Sequence, residues 1–286
     1  MGKIMPGKII LTVDVEDYFQ VEAFTPYIER KSWHNFHSRV VENTNRLLDI
    51  FGSYGAYGTF FVLGWVAEKC PSLVKSIHDA GHEVASHGFD HKMVTSMHPE
   101  EFRSDIRKTK DILENLTGSP VFGYRAPTFS ILDETKWAYD VLLSEGYRYS
   151  SSVYPIWHDR YGWPDFGVFP RVMASNGNVR VWEIPLSVAN LGFVKIPFGG
   201  GGYLRTYPLS ITLAFFRGIL RKNQNAIVYL HPWELDEEHP SVKAPLLARI
   251  RHFQGIRGME RKIRMILDRF ESSPVRNIPL IQSEAI

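Results

Sequence analysis

The apolar and polar positions along the chain alternate between two rhythms, one of strands and one of helices. "KIILTVDV" (8–15) is a β-branched run ending in carboxylates, which predicts a buried strand. "SRVVENTNRLLDIFGSYG" (38–55) has apolar residues at helical spacing and stops at glycine, predicting a helix with a C-cap. "YGTFFVLG" (57–64) reads as a strand, and 67–81 as a helix broken near its start by Pro71 and closed by Gly81. "HEVASHG" (82–88) is the next strand, and 98–118 is a long amphipathic helix opened by Pro99 and two glutamates. A strand near 121–127, a helix over 133–146 and a strand over 147–154 continue the series. From about 155 to 207 the pattern loosens, with one strand expected at 181–188 in a stretch rich in Trp, Pro and Gly. A helix (209–222), a strand (225–231) and an arginine-rich helical tail (243–271) follow.

This alternation implies parallel βα units, in an open sheet or a barrel. The polar residues of interest recur just after strands, where α/β folds place their chemistry. At 286 residues there is length for one large domain with an appendage. A formal charge of +2 is too small to suggest nucleic acid, and none is expected as a partner. The single cysteine, Cys70, excludes an internal disulfide. "MGKIMPGKIILTVDVEDYF" lacks the long apolar stretch and small-residue cleavage site of a secretory signal, and no run is long enough to span a membrane. A cytoplasmic protein is therefore expected. Aromatic content of 13% suits sugar rings but fills cores as well.

Four stretches carry candidate chemistry. "TVDVEDYF" places Asp14, Glu16 and Asp17 at the end of the first strand, with Asp14 and Glu16 on one face; alone, it is equally a solvated acidic turn. "SHGFDH" spaces His87 and His91 at i, i+4, on one helical face or converging from a tight turn. Such imidazole pairs are common zinc ligands, and a carboxylate would complete a three-ligand open site. "YRAPTFS" offers Arg125, suited to holding a carboxylate or to an ordinary ion pair. "VYLHPWE" brings His231 out of a strand, as an acid at a pocket rim or as a satisfied core histidine.

Taken in order, "TVDVED", "SHGFDH", "RAP", "YSSSVYP" and "VYLH" resemble the polysaccharide deacetylase family with the NodB homology domain, carbohydrate esterases that remove N- or O-acetyl groups. "DVEDYFQVEAF", "FGGGGYLR" and "YLHPWELD" are similar to the subgroup associated with bacterial exopolysaccharide assembly loci, which carries a C-terminal helical extension. The resemblance implies an α/β fold, a distorted (β/α) barrel of fewer than eight units over 1–235, with a helical extension over 236–286 packed on it. It implies a hydrolase using a divalent metal, zinc first among several options, to deacetylate a sugar or glycan in polysaccharide biosynthesis. Carried over, Asp14 is the general base, His87 and His91 are metal ligands, His231 is the general acid, and Arg125 keeps Asp14 ionised and oriented.

The chain departs from the pattern in three places. Val15 stands where a second aspartate is usual, so the acidic ligand is Glu16 or, through a bulge, Asp17. Ser150 stands where an aspartate usually tunes the acid histidine, leaving Glu183, Glu234 or Asp236 to substitute. Thr128 replaces an aromatic after R-x-P, a tolerable change if only its backbone N–H serves the oxyanion site. "FGGGG" lacks the Lys-Ser/Thr of a P-loop, so it reads as a close backbone approach to a glycan or a turn. The basic tail is either a solvated helix packed on the barrel or a surface for anionic lipid, which would suit a lipid-linked sugar. Two rival readings share the fold: a hydrolase of a non-sugar amide such as a cyclic ureide, and a catalytically silent glycan-binding or assembly protein.

Overall fold

In a computed structural model, residues 7–192, 194–238, 240 and 242–283 are described. The first six residues of the N-terminal stretch lie outside them. The chain runs β1 (Ile9–Val15), α1 (Val40–Ser53), β2 (Thr59–Val62), α2 (Gly64–Lys69), α3 (Pro71–Asp79), β3 (Glu83–Ser86), α4 (Pro99–Thr117), β4 (Gly123–Tyr124), α5 (Ala138–Ser144) and β5 (Tyr149–Ser150). It continues with β6 (Arg171–Asn176), β7 (Val179–Glu183), β8 (Val188–Asn190), β9 (Lys195–Pro197), α6 (Gly201–Thr206), α7 (Leu209–Leu220) and β10 (Ala226–Leu230). The last elements are α8 (Leu246–Phe253), α9 (Met259–Leu267), β11 (Ser272–Ser273) and α10 (Pro279–Gln282).

Strands β10-β1-β2-β3-β4-β5-β7 form one parallel sheet, and β6 extends it as an antiparallel hairpin with β7. No β6–β10 pairing closes the strand path among the described residues. The gap is spanned instead by the stretch after β7. Ile184 and Leu186 donate backbone N–H bonds to Ser150 and Val153 (2.8 and 2.9 Å), and at the far end Gly199 accepts from Tyr229 of β10 (3.1 Å).

Every residue of β1 is buried, because both of its faces are covered. Leu11, Val13 and Val15 pack with Phe60, Val62 and the helices outside. Ile10 shares the inner cluster with Phe61, Ala85, Tyr149, Ile227 and Tyr229. Thr12 and Asp14 alternate with the outer set and so face inward, Asp14 at the C-terminal mouth. Val275, Ile278 and Ile281 join the inner cluster from the C-terminal segment, and β11 pairs with Ile9 and Ile10. That segment therefore contributes a strand and inner core as well as helices.

Several expectations need correction. The helix over 67–81 is broken at Pro71 as expected, but its first part, α2, begins earlier, at Gly64. The strand at 181–188 is β7 and then irregular chain, and its hairpin partner β6 has no clear sequence signal: only Ala174 of that strand is buried. The helical tail breaks at Gly255 and Gly258, both with positive φ.

The glycine run is explained by close packing on β10. A Cβ at Gly199 would lie 2.6 Å from the Ile227 carbonyl oxygen, and one at Gly200 would lie 2.1 Å from that of Tyr229. Gly200→Ala is expected to cost about 1–3 kcal/mol of stability by overpacking, read as a lower denaturant midpoint at unchanged slope. No helix among the described residues is long and apolar enough to cross a membrane.

Candidate active site

The residues singled out from four separate stretches meet at the C-terminal mouth of the sheet. Asp14 is the penultimate residue of β1, and the Glu16 N–H donates back to the Asp14 carbonyl (3.1 Å), turning the chain into the mouth. His87 follows β3 directly. His91 reaches the same place through a tight turn rather than a helix, with Gly88 at φ 72° and His91 at φ 59°. Asp105 of α4 holds that turn by accepting from the Phe89 N–H (3.1 and 3.2 Å). Burial pushes the Asp105 carboxyl up to about 7.

One donor atom from each of Glu16, His87 and His91 lies within 4.8 Å of the others, and all three residues are buried. The His87 Nδ1–H donates to the Arg125 carbonyl (2.8 Å), which leaves Nε2 as the free lone pair. Burial holds the His87 imidazole neutral, its pKa lowered to about 4. Burial also opposes charge on Glu16, but His91 Nε2, 2.9 Å from Oε2, together with His231 and His87, outweighs it and holds the carboxyl at about 2. A neutral imidazole beside an ionised carboxylate is the protonation state that metal ligation requires. His91 Nδ1 is buried without a hydrogen-bond partner while Glu16 Oε2 faces the other nitrogen of that ring, and the donor set fits a divalent cation.

Asp17, grouped with the ligands on sequence, is turned elsewhere. Its Oδ2 accepts from Ser38 Oγ (2.6 Å) and from the Arg39 and Val40 backbone N–H groups (2.9 and 3.2 Å), anchoring the start of α1. Both hydrogen-bonding sides of this carboxylate are occupied by chain that a metal ligand would have to abandon.

Arg125 is fully buried. Its Nη1 donates to Asp14 Oδ1 and Thr12 Oγ1 (both 2.8 Å), its Nε to the Ser151 carbonyl (2.9 Å) and its Nη2 to Ser151 Oγ (3.0 Å). The other Asp14 oxygen faces His231 Nε2 at 3.9 Å, and Glu16 Oε1 lies 3.8 Å from the same nitrogen.

Of the three acids weighed as partners for His231, the structure brings up Glu234, with Oε1 3.5 Å from His231 Nδ1. Glu183 instead accepts from the Ser152 and Val153 backbone and from Tyr139, and Asp236 pairs with Arg39 and Asn43. Burial alone would lower the His231 pKa, but Glu234, then Glu16 and Asp14, raise it to about 9.

Asp14, Glu16, His87, His91 and His231 line a cavity of about 480 Å³. Three of the four non-glycine residues with positive φ, His91, Thr128 and Phe129, stand on its wall, so backbone strain among the described residues collects at this site. Sequence reasoning missed Trp233, whose ring stacks on His231 (centroids 5.1 Å, 22°) and whose Nε1–H donates to Glu16 Oε1 (3.2 Å). Its one signal was an indole two residues after the acid candidate. Arg205, which closes the "FGGGGYLR" stretch, and His252, in the basic tail, also stand on the cavity wall, where the sequence reading gave neither a role.

Comparison with known proteins adds to this geometry. Residues 25–149 match the model of the polysaccharide deacetylase family, and 151–279 match a domain of unknown function, DUF3473. A peptidoglycan-N-acetylglucosamine deacetylase of Bacillus cereus is 36% identical over 99 residues, 34% of this chain and 36% of that protein. The chain thus matches about a third of that relative's length. Among solved structures, the Puue allantoinase superposes with a TM-score of 0.62 at 14% identity, over 99% of this chain and 91% of that one. The Bc1960 peptidoglycan N-acetylglucosamine deacetylase does so at 0.51 and 17%, over 97% and 90%. The stretch that carries His87, His91 and Arg125 at the mouth of the sheet thus lies within residues 25–149, the part of the chain that matches the polysaccharide deacetylase family.

Proposed function

We propose that this protein is a metal-dependent hydrolase that removes acetyl groups, N-acetyl foremost, from a sugar or glycan in bacterial polysaccharide biosynthesis, working in the cytoplasm. The observation that carries the reading is the Glu16, His87 and His91 donor cluster beside Asp14 and His231 on one cavity wall. A divalent cation held by those three residues, zinc by the histidine pair, supplies charge that polarises the acetyl carbonyl and acidifies water.

The chain's own groups do the rest. Asp14, held by Arg125, takes the proton of the attacking water. His231 gives its proton to the nitrogen as the C–N bond breaks, releasing acetate and a free amine. The Thr128 backbone N–H is assigned to the developing oxyanion. The sequence likeness of "FGGGGYLR" and "YLHPWELD" to the exopolysaccharide-locus subgroup supports the biosynthetic setting, and the basic tail would suit a lipid-linked acceptor.

Acetate release from a panel of N- and O-acetylated oligosaccharides, with a cyclic ureide as a control, tests this. Chelator-treated protein is expected to lose activity and to regain it with one equivalent of zinc or another divalent ion. Glycan binding with no acetate from any of them would favour the silent module, and turnover of the ureide alone would favour the other amide.

A further inference from the structure

The polysaccharide deacetylase match ends at residue 149, so His231 and everything behind it belong to the region matching a domain of unknown function. Glu234 Oε1 lies between His231 Nδ1 (3.5 Å) and Arg205 Nε (3.2 Å), while Oε2 accepts from the His231 backbone N–H (3.1 Å). Arg205 is buried, and its guanidinium sits over the Trp233 ring at 4.9 Å, the same ring that stacks on His231 and binds Glu16.

Arg205 belongs to α6, a six-residue helix too short to hold its own shape. The C-terminal helices hold it. Lys262 of α9 donates from Nζ to the carbonyls of Leu204, Arg205 and Tyr207 (2.9, 2.7 and 2.9 Å), satisfying the end of α6 that helix geometry leaves unpaired. The Arg205 guanidinium donates to the His252 carbonyl at the end of α8, and the His252 ring stacks on Trp233 at 4.3 Å. Gly255 (φ 76°) allows this approach: a Cβ there would lie 2.5 Å from the Arg205 carbonyl oxygen.

We infer that Arg205 is a positioning residue for His231, acting through Glu234, and that α8 and α9 hold it there through Lys262, His252 and Gly255. The region of unknown function then builds the acid half of the active site. A buried carboxylate with a cation on one side only can rotate between rotamers. With Arg205 on the other side, its oxygen has one place, and so does the imidazole it faces. The inference rests on the acid role proposed for His231.

The test uses the full chain, zinc-loaded, with the β-1,4-linked pentamer of N-acetylglucosamine as probe. Arg205→Ala is expected to lower kcat about 10- to 100-fold with KM and zinc stoichiometry unchanged, and added guanidinium is expected to restore part of the loss. Lys262→Met, outside the cavity, is expected to lower kcat in the same direction. Amide exchange on the zinc-free protein reports independently of turnover: Lys262→Met should speed exchange in 201–207 and in 231–235 together. Failure of the wild type to release acetate would count against the proposed function, and exchange would still decide the coupling. Exchange confined to 201–207, or a kcat untouched by Arg205→Ala in an active enzyme, would overturn the inference.

Discussion

Replacing Arg125 with methionine is expected to destabilise the protein by about 3–5 kcal/mol, the usual cost of stripping one partner from a buried ion pair. The guanidinium donates to four acceptors at 2.8–3.0 Å and lies over the Phe61 ring at 4.2 Å, so no solvent stands ready to replace it. Asp14 is 2% exposed and would be left as a carboxylate with its cation gone. Thr12 and Ser151 would lose the donor that ties β1 to the end of β5. Urea unfolding reads the effect as a lower midpoint at constant slope. Adding Asp14→Asn to the Arg125→Met variant should recover part of the loss, because the stranded charge is then removed. A loss below about 1 kcal/mol would mean that the site is wetter than the structure shows.

The second large effect is catalytic. His231→Ala and Asp14→Asn are each expected to reduce kcat by about 10²–10⁴-fold, the range for removing a positioned acid or base. Neither is among the three donors of the Glu16 cluster, so the stoichiometry of any bound divalent metal should survive both changes. Loss of activity together with loss of metal would assign the residue to the ligand set instead.

The pH dependence has a definite sign. The carboxylates around His231 raise its pKa to about 9, so the imidazole keeps its proton through neutrality and yields it on the alkaline side. Activity that depends on that proton falls as pH rises past this value. Glu234→Gln removes the strongest of the raising groups and should move the alkaline limb of kcat/KM to lower pH. An unmoved limb would separate Glu234 from the acid.

The sequence by itself determined which stretches carry chemistry. Asp14, His87, Arg125 and His231 stand at or just past the ends of β1, β3, β4 and β10, and the 2.0 and 3.6 periodicities place those ends with little outside help. Parallel βα order then sends all four to one mouth. The choice among neighbouring acids was decided only by tertiary structure. Glu16 and Asp17 are adjacent and chemically alike, yet one meets His91 and the other anchors Ser38 and the start of α1. Glu183, Glu234 and Asp236 were equivalent on paper until Tyr139 and the 152–153 backbone claimed the first, and Arg39 and Asn43 the third. The roles of Arg205 and Lys262 could not be read from the stretches that contain them, because their partners lie 29 and 55–58 residues away. Periodicity reports the face a residue shows; which group meets it there is set by chain that folds back from far along the sequence.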